Sequence, residues 1–350
     1  MRGFLNRFLT LAGFLLLGIV LLGWVAWAFG ALWFDCPIVA AGHPVAMAYL
    51  VAILVMLVLW VRGHRWAVLS AVLLAALVTL WWGLLNPSNE RNWQPDVSRE
   101  PWAEVNGDLV TLHNVRNFDY RPADTTGESN PRWETRTVRL SQLTGLDAFL
   151  NFWGVSWMAH PILSFQFKDA PPVAISIETR KEKGEAYSAL GGLYRQYELV
   201  YIVGDERDLV RVRTNYRTGE DVYLYRTTLP QEDGRERFLE YIRSMNELHV
   251  HPRWYNAITA NCTTSIRSQR SIAARTPWDL RILLNGRIDE MLYERGLLVT
   301  EGLTFPELRR RARINVAARA ADQDPEFSRR IRTGIPGFLS ENQNCFPQRR

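Results

Sequence analysis

Cysteine is scarce in this chain, with three among 350 residues (Cys36, Cys262 and Cys345), which excludes a disulfide-stapled scaffold. Lysine is scarcer still for the length: Lys168, Lys181 and Lys183 are all there is, so the formal charge of +5 rests on arginine. No Gly-rich phosphate cradle, G-x-S-x-G elbow or G-x-G-x-x-G turn occurs, which removes the signatures of P-loop, serine-hydrolase and dinucleotide chemistry. Internal repeats and low-complexity tracts are absent. There is no basic stripe interleaved with stacking aromatics, so no nucleic-acid partner is expected. His249 and His251 form an H-x-H pair, and on a strand both would face one side. No third ligand stands near them at usual spacing, so no metal is expected. Nothing calls for a cofactor.

Charge is also missing over long stretches, and there its absence is informative. Phe8 to Phe34 contains no charged residue, and this run exceeds the roughly 20 residues that span a bilayer. Pro44–Val61 and Ala67–Leu85 are two further apolar runs, and none comparable follows Leu85. The first run is about twice a signal-peptide h-region of 7–15 residues and ends in no small-x-small site. Three transmembrane helices are therefore predicted, with Asp35 and His43 in the loop after the first. Arg2 and Arg7 precede the first span, and Arg62 and Arg65 separate the second from the third. These flanks belong on the cytoplasmic side, which sends the remainder of the chain to the opposite side. In a bacterium that means a multi-pass inner-membrane protein with a C-terminal periplasmic domain.

The expected organisation is a membrane domain over 1–86, a Pro- and Trp-containing linker over 87–108, a globular domain over 109–340 and a tail over 341–350. Strands are predicted at 109–118, 135–140, 160–167, 173–180, 197–204, 209–217 and 221–229, and a helix or turn at 141–154. An amphipathic helix is predicted at 234–248, with Phe238, Leu239, Ile242, Met245 and Leu248 at helical spacing. Further helices are expected at 262–275, where Ile266 and Ile272 are apolar, and downstream of Pro277. The fold class is α+β, with an antiparallel sheet and flanking helices.

The pair "HPILSFQF" and "VAISIETR" reads as a hairpin. A five-residue loop sets Phe167 opposite Val173 and His160 opposite Arg180, with Glu178 diagonal to His160. Leu163, Phe165, Phe167, Val173, Ile175 and Ile177 share a core face. His160, Ser164, Gln166, Ser176, Glu178 and Arg180 share the other with Ile162 and Ala174; that face either meets water or lines a site. A diagonal Glu lies within reach of an imidazole, the relation a base and its orienting carboxylate need.

Cys262, in "TANCTTSIRSQ", falls at a predicted helix start. Free N–H groups and the positive end of the helix dipole favour a thiolate and can receive an oxyanion. Asn261 and Thr263 flank it as candidate supports of the turn or the oxyanion. Two readings stand open on these residues alone: a nucleophile served by His160 and Glu178, or a small buried thiol. A bridge between Cys36 and Cys345 is a further open option.

The segments "NVRNFDYR", "WGVSWMAHPILSFQF", "ISIETRKEKGE", "YELVYIVGDERDLVRVRTNYR" and "NCTTSI" resemble the N-terminal periplasmic domain of the Lnb-type bacterial lipoprotein N-acyltransferases. The order of His before Cys also resembles circularly permuted papain/NlpC-like folds. The resemblance implies a papain/NlpC-like domain and acyl transfer through a Cys262 thioester with His160 as base. It further implies membrane lipids as partners, with a lipoprotein N-terminus or another amine as acceptor. An NlpC-like amidase of the cell envelope, or a non-catalytic scaffold or sensor, is the alternative.

Overall fold

The computed structural model describes residues 2–36, 39–121, 131–154, 157–270, 275 and 277–338. Cys345 and Ile272 lie outside them. The chain divides into two compact units: Met1–Pro87 with Tyr187–Tyr197 and Trp254–Asn256, and Ser88–Ala186 with Glu198–Arg253 and Ala257–Arg350.

The first unit holds α1 (Arg2–Asp35), α2 (Val39–Val61) and α3 (Trp66–Gly83). Each contains a stretch long and apolar enough to cross a membrane. Small residues (Ala28, Ala31, Ala46, Ala75) are buried where the helices meet, while Leu and Val point outward. That inversion suits packing in lipid, where close backbone approach replaces the hydrophobic effect. Asp35 and His43 are helical rather than in a loop. Asp35 ends α1 and accepts from Trp82 Nε1 at 2.6 Å and from the Arg195 N–H at 3.0 Å. His43 lies within α2, its ring stacked 4.0 Å from that of Trp33. The Arg195 guanidinium sits 3.8 Å over the Trp82 ring and donates to the Trp82 and Leu85 carbonyls at the end of α3. Tyr194 lies so close to α1 that a Cβ on Gly30 would stand 2.0 Å from its hydroxyl.

The second unit is built on eight strands among the described residues: β1 (Trp102–Asn106), β2 (Leu109–Arg116), β3 (Trp133–Arg139), β4 (Leu143–Trp153), β5 (His160–Phe167), β6 (Val173–Arg180), β7 (Glu198–Gly204) and β8 (Glu220–Arg226). Their order is β1-β2-β7-β6-β5-β4-β8, with β3 also on β2. Every pairing is antiparallel except β2 with β7, which run parallel through Arg116 and Gly204. The sheet is therefore mixed, where an antiparallel one was expected.

Three segments differ from expectation for physical reasons. β1 starts the sheet inside the segment expected to be linker. β4 replaces the expected helix or turn: it lies between β5 and β8, is buried along most of its length, and so lacks the alternation of a half-exposed strand. Residues 209–217, with alternating Val and Arg, form α4 (Glu206–Leu209) and a π-helix (Val212–Tyr216) instead of a strand. Arg211 and Arg213 are buried there, each paired with two carboxylates, and this pairing overrides the local period.

The β5–β6 hairpin forms in a register two residues away from that expected, with Phe165 opposite Val173 and Ile162 opposite Ser176. The last residues of β5 are held by β4 instead, Phe167 facing Leu143, which lengthens the loop. A shift of two keeps every side chain on its face. It also moves His160 from opposite Arg180 toward opposite Glu178.

The remaining helices are α5 (Gln231–Val250), α6 (Cys262–Ser268), α7 (Ile288–Glu294), α8 (Phe305–Ala312), α9 (Asn315–Ala320) and α10 (Phe327–Arg330). Phe165 and Phe167 meet Phe238 of α5 edge-on, with centroids 4.9 and 5.6 Å apart. The opposite face is buried too: Phe149, Ile162, Ala174, Val200 and Leu224 share a core with Ile314, Ala318 and Phe327. His249 sits in the last turn of α5 and His251 caps it, so the H-x-H pair is not on a strand.

Two outcomes follow from this packing. Gly30→Val displaces Tyr194 and destabilises the protein in detergent by about 1–3 kcal/mol of overpacking, read as a lower melting temperature; adding Tyr194→Ala removes most of that penalty in a double-mutant cycle. Burial pushes the Glu100 carboxyl up to about 7, against the pull of Arg180. The folded state then holds a proton that the unfolded state has lost between about pH 4.5 and 7, so this group's contribution to stability falls as pH rises through that window. Glu100→Gln flattens that part of the pH–stability curve, by on the order of 3 kcal/mol across it, measured by denaturant melts from pH 4.5 to 8.

Candidate active site

His160 opens β5 and Glu178 lies near the end of β6, so both stand at the open end of the hairpin. Their side chains meet, with His160 Nε2 3.0 Å from Glu178 Oε1. Ser176, between them on the same face, lies 2.6 Å from His160 Nε2 and donates to Glu178 Oε1 at 2.8 Å. The same carboxylate oxygen is held by Arg213 from the π-helix, whose Nη2 donates to Glu178 Oε1 at 2.8 Å. Its Nη1 reaches Glu220 Oε2 at 3.2 Å. Burial alone raises the Glu178 carboxyl, but the His160 and Arg213 charges overcome it and hold it well below the usual carboxylate range. The imidazole thus stands beside a permanently ionised partner.

Cys262 is the first residue of α6, as expected. Asn261 caps that helix in a capping box: its Oδ1 accepts from Thr264 N at 2.8 Å, and Thr264 Oγ1 accepts from Asn261 N at 2.9 Å. Asn261 Nδ2 donates to the Ala257 carbonyl at 2.8 Å, so this side chain supports the turn through both of its polar atoms. Thr263 is likewise engaged, donating to the Ile282 carbonyl at 2.6 Å. The helix packs against β5 and β6.

The thiol differs from the thiolate that a helix start suggests. Burial, followed by the Glu178 charge, pushes Cys262 up to about 12, against the Thr263 and Cys262 N–H groups and Arg213. The resting sulfur is therefore neutral. It accepts from Asn285 Nδ2 at 3.7 Å, and among the described residues no hydrogen bond joins it to the His160 ring. Asn285 also accepts from the N–H of Ala159, the residue before His160, at 2.7 Å. This carboxamide links the cysteine to the start of β5.

Three residues here escaped the sequence reading. Ser176 lay on the polar hairpin face without being singled out. Arg213 was concealed by a strand-like pattern that is helical. Asn285 sits in "LLNG", where Asn-Gly signals only a turn. Among the described residues no group of three or more His, Cys, Asp or Glu is disposed to hold a metal.

Because the thiol is neutral at rest, iodoacetamide should alkylate Cys262 slowly at pH 7 and faster up to pH 9 without levelling. Glu178→Gln, by removing the negative charge, should shift that profile to lower pH. A plateau below pH 8 in the unaltered protein would contradict the electrostatics described.

Residues 129–286 match the family model of the Lnb N-terminal periplasmic domain. The matched segment contains His160, Glu178, Asn261, Cys262, Thr263 and Asn285. Comparison with curated proteins gave no match, and comparison with solved structures gave none. The periplasmic description agrees with the orientation read from Arg2, Arg7, Arg62 and Arg65. Residues 129–286 are thus similar to the Lnb N-terminal periplasmic domain, in a chain whose α+β unit follows three helices apolar enough to cross a membrane.

Proposed function

We propose that the protein is an inner-membrane-anchored thiol enzyme that takes an acyl chain from a phospholipid or lipoprotein ester onto Cys262 and passes it to an amine or to water. The observation that supports this most is the Arg213–Glu178–His160 relay on the hairpin against which the Cys262 helix packs.

His160 spends Nε2 on Ser176 and Glu178, which leaves Nδ1 to take the thiol proton. A bare thiolate is disfavoured here by burial and by Glu178, but the thiolate–imidazolium pair is not, because the same carboxylate stabilises the cation. As the proton moves to Nδ1, the sulfur lone pair forms a bond to the ester carbonyl carbon and the C=O electrons move onto oxygen. Collapse restores the carbonyl, breaks the ester C–O bond and releases the lysolipid alkoxide, which takes the proton back from His160. The thioester is opened by an amine, giving an amide, or by water, giving a free fatty acid; in each case His160 takes the nucleophile's proton and returns it to Sγ. Anchoring in the bilayer supplies proximity, since the ester never leaves the membrane that holds the enzyme.

The test uses the full-length protein in phospholipid–detergent micelles with a fluorescent phospholipid. His160→Ala should lower turnover about 10²–10⁴-fold, and Cys262→Ser should do so at least as strongly. Unchanged turnover in either variant would contradict the proposal. Cleavage of muropeptides with no acyl release would assign the site to amide hydrolysis.

A further inference from the structure

The Asn285 side chain donates to the Cys262 sulfur, and its orientation is determined by chemistry. The Ala159 N–H can only donate, so the atom 2.7 Å from it is the Asn285 oxygen, which turns the amide nitrogen toward Cys262. That nitrogen lies 3.7 Å from Sγ and 3.5 Å from Thr263 Oγ1. Thr263 Oγ1 is itself committed as a donor to the Ile282 carbonyl. Asn285 is buried, so its donor competes with little water.

From this arrangement we infer that Asn285 is a catalytic residue, donating its side-chain N–H to the oxyanion that forms when Cys262 attacks a carbonyl. The inference rests on the thioester reading above. When the S–C bond forms, the carbonyl oxygen becomes an anion one bond away from the carbon held by Sγ. A donor beside the sulfur is then suited to approach it at about 2.7–3.1 Å, the distance an oxyanion hole requires. Asn261, the other candidate, gives one N–H of its amide to the Ala257 carbonyl. The anchored oxygen of Asn285 keeps the donor in place before substrate arrives, so no reorganisation is needed during reaction.

Two reactions of the same thiol separate this role from a structural one. Acylation by p-nitrophenyl butyrate passes through an oxyanion: Sγ bonds to the carbonyl carbon, p-nitrophenolate departs, and the thiol proton goes to His160. Alkylation by iodoacetamide displaces iodide at a saturated carbon and forms no oxyanion. The ratio of the two rates cancels changes in thiolate supply. In full-length Asn285→Ala, that ratio should fall about 10²–10³-fold. Asn285→Asp, which keeps an acceptor for the Ala159 N–H but has no N–H to give, should fall comparably; thermal melts confirm that each variant is folded. A ratio within about threefold of the unaltered protein in a folded variant would overturn the inference while leaving the thioester reading intact. If the unaltered protein is alkylated at Cys262 but never acylated there, the thioester reading fails and this inference falls with it.

Discussion

A carboxylate oxygen shared by a guanidinium and an imidazole is what the site depends on. Glu178 lies between a guanidinium and an imidazole, with Arg213 at 2.8 Å and His160 at 3.0 Å. Burial works against the Glu178 charge, and the His160 and Arg213 charges together outweigh it; a neutral acid would give no support to an imidazolium. With Arg213 in place the charge persists, and the imidazole is held by the nitrogen that faces Glu178 and Ser176. In the proposed reaction the other nitrogen takes the thiol proton. The π-helix that delivers Arg213 is a local irregularity that places one long side chain behind the sheet, a use such segments often have.

The same carboxylate sets the state of the cysteine. Its field and the loss of water both disfavour a thiolate, so the sulfur rests as a thiol in spite of the helix start. In the proposed reaction the thiolate then forms only as its proton passes to His160. Pairing of charge extends over the hairpin face that carries His160. Arg332 joins Asp147 at 2.8 Å and Glu206 at 2.6 Å, and Glu206 accepts from Ser164 at 2.5 Å. Buried ions persist only when so compensated, and this network lets a polar sheet face lie beneath helices instead of water.

Much of this was legible from the chain itself. The three apolar runs declared the membrane helices, alternation marked β5 and β6 to the residue, and the amphipathic spacing gave α5. The approach of Glu178 to His160 and the helix start at Cys262 were readable because the hairpin put the first two on one face and Asn261 precedes the third. Failures came where burial on both faces erased alternation, as in β4, or where paired buried arginines imitated it, as in Val212–Tyr216. The hairpin register moved by two because β4, unseen as a strand, holds the end of β5. Asn285 was out of reach because its significance lies in what it touches, Ala159 on one side and Cys262 on the other, far apart along the sequence.

The most direct measurement is the intact mass of the full-length protein after exposure to a phospholipid bearing an isotopically labelled acyl chain. The account predicts a single hydroxylamine-labile acyl adduct on Cys262 that is missing from His160→Ala. Absence of any adduct on the unaltered protein, or a label that sits on another residue, would contradict it.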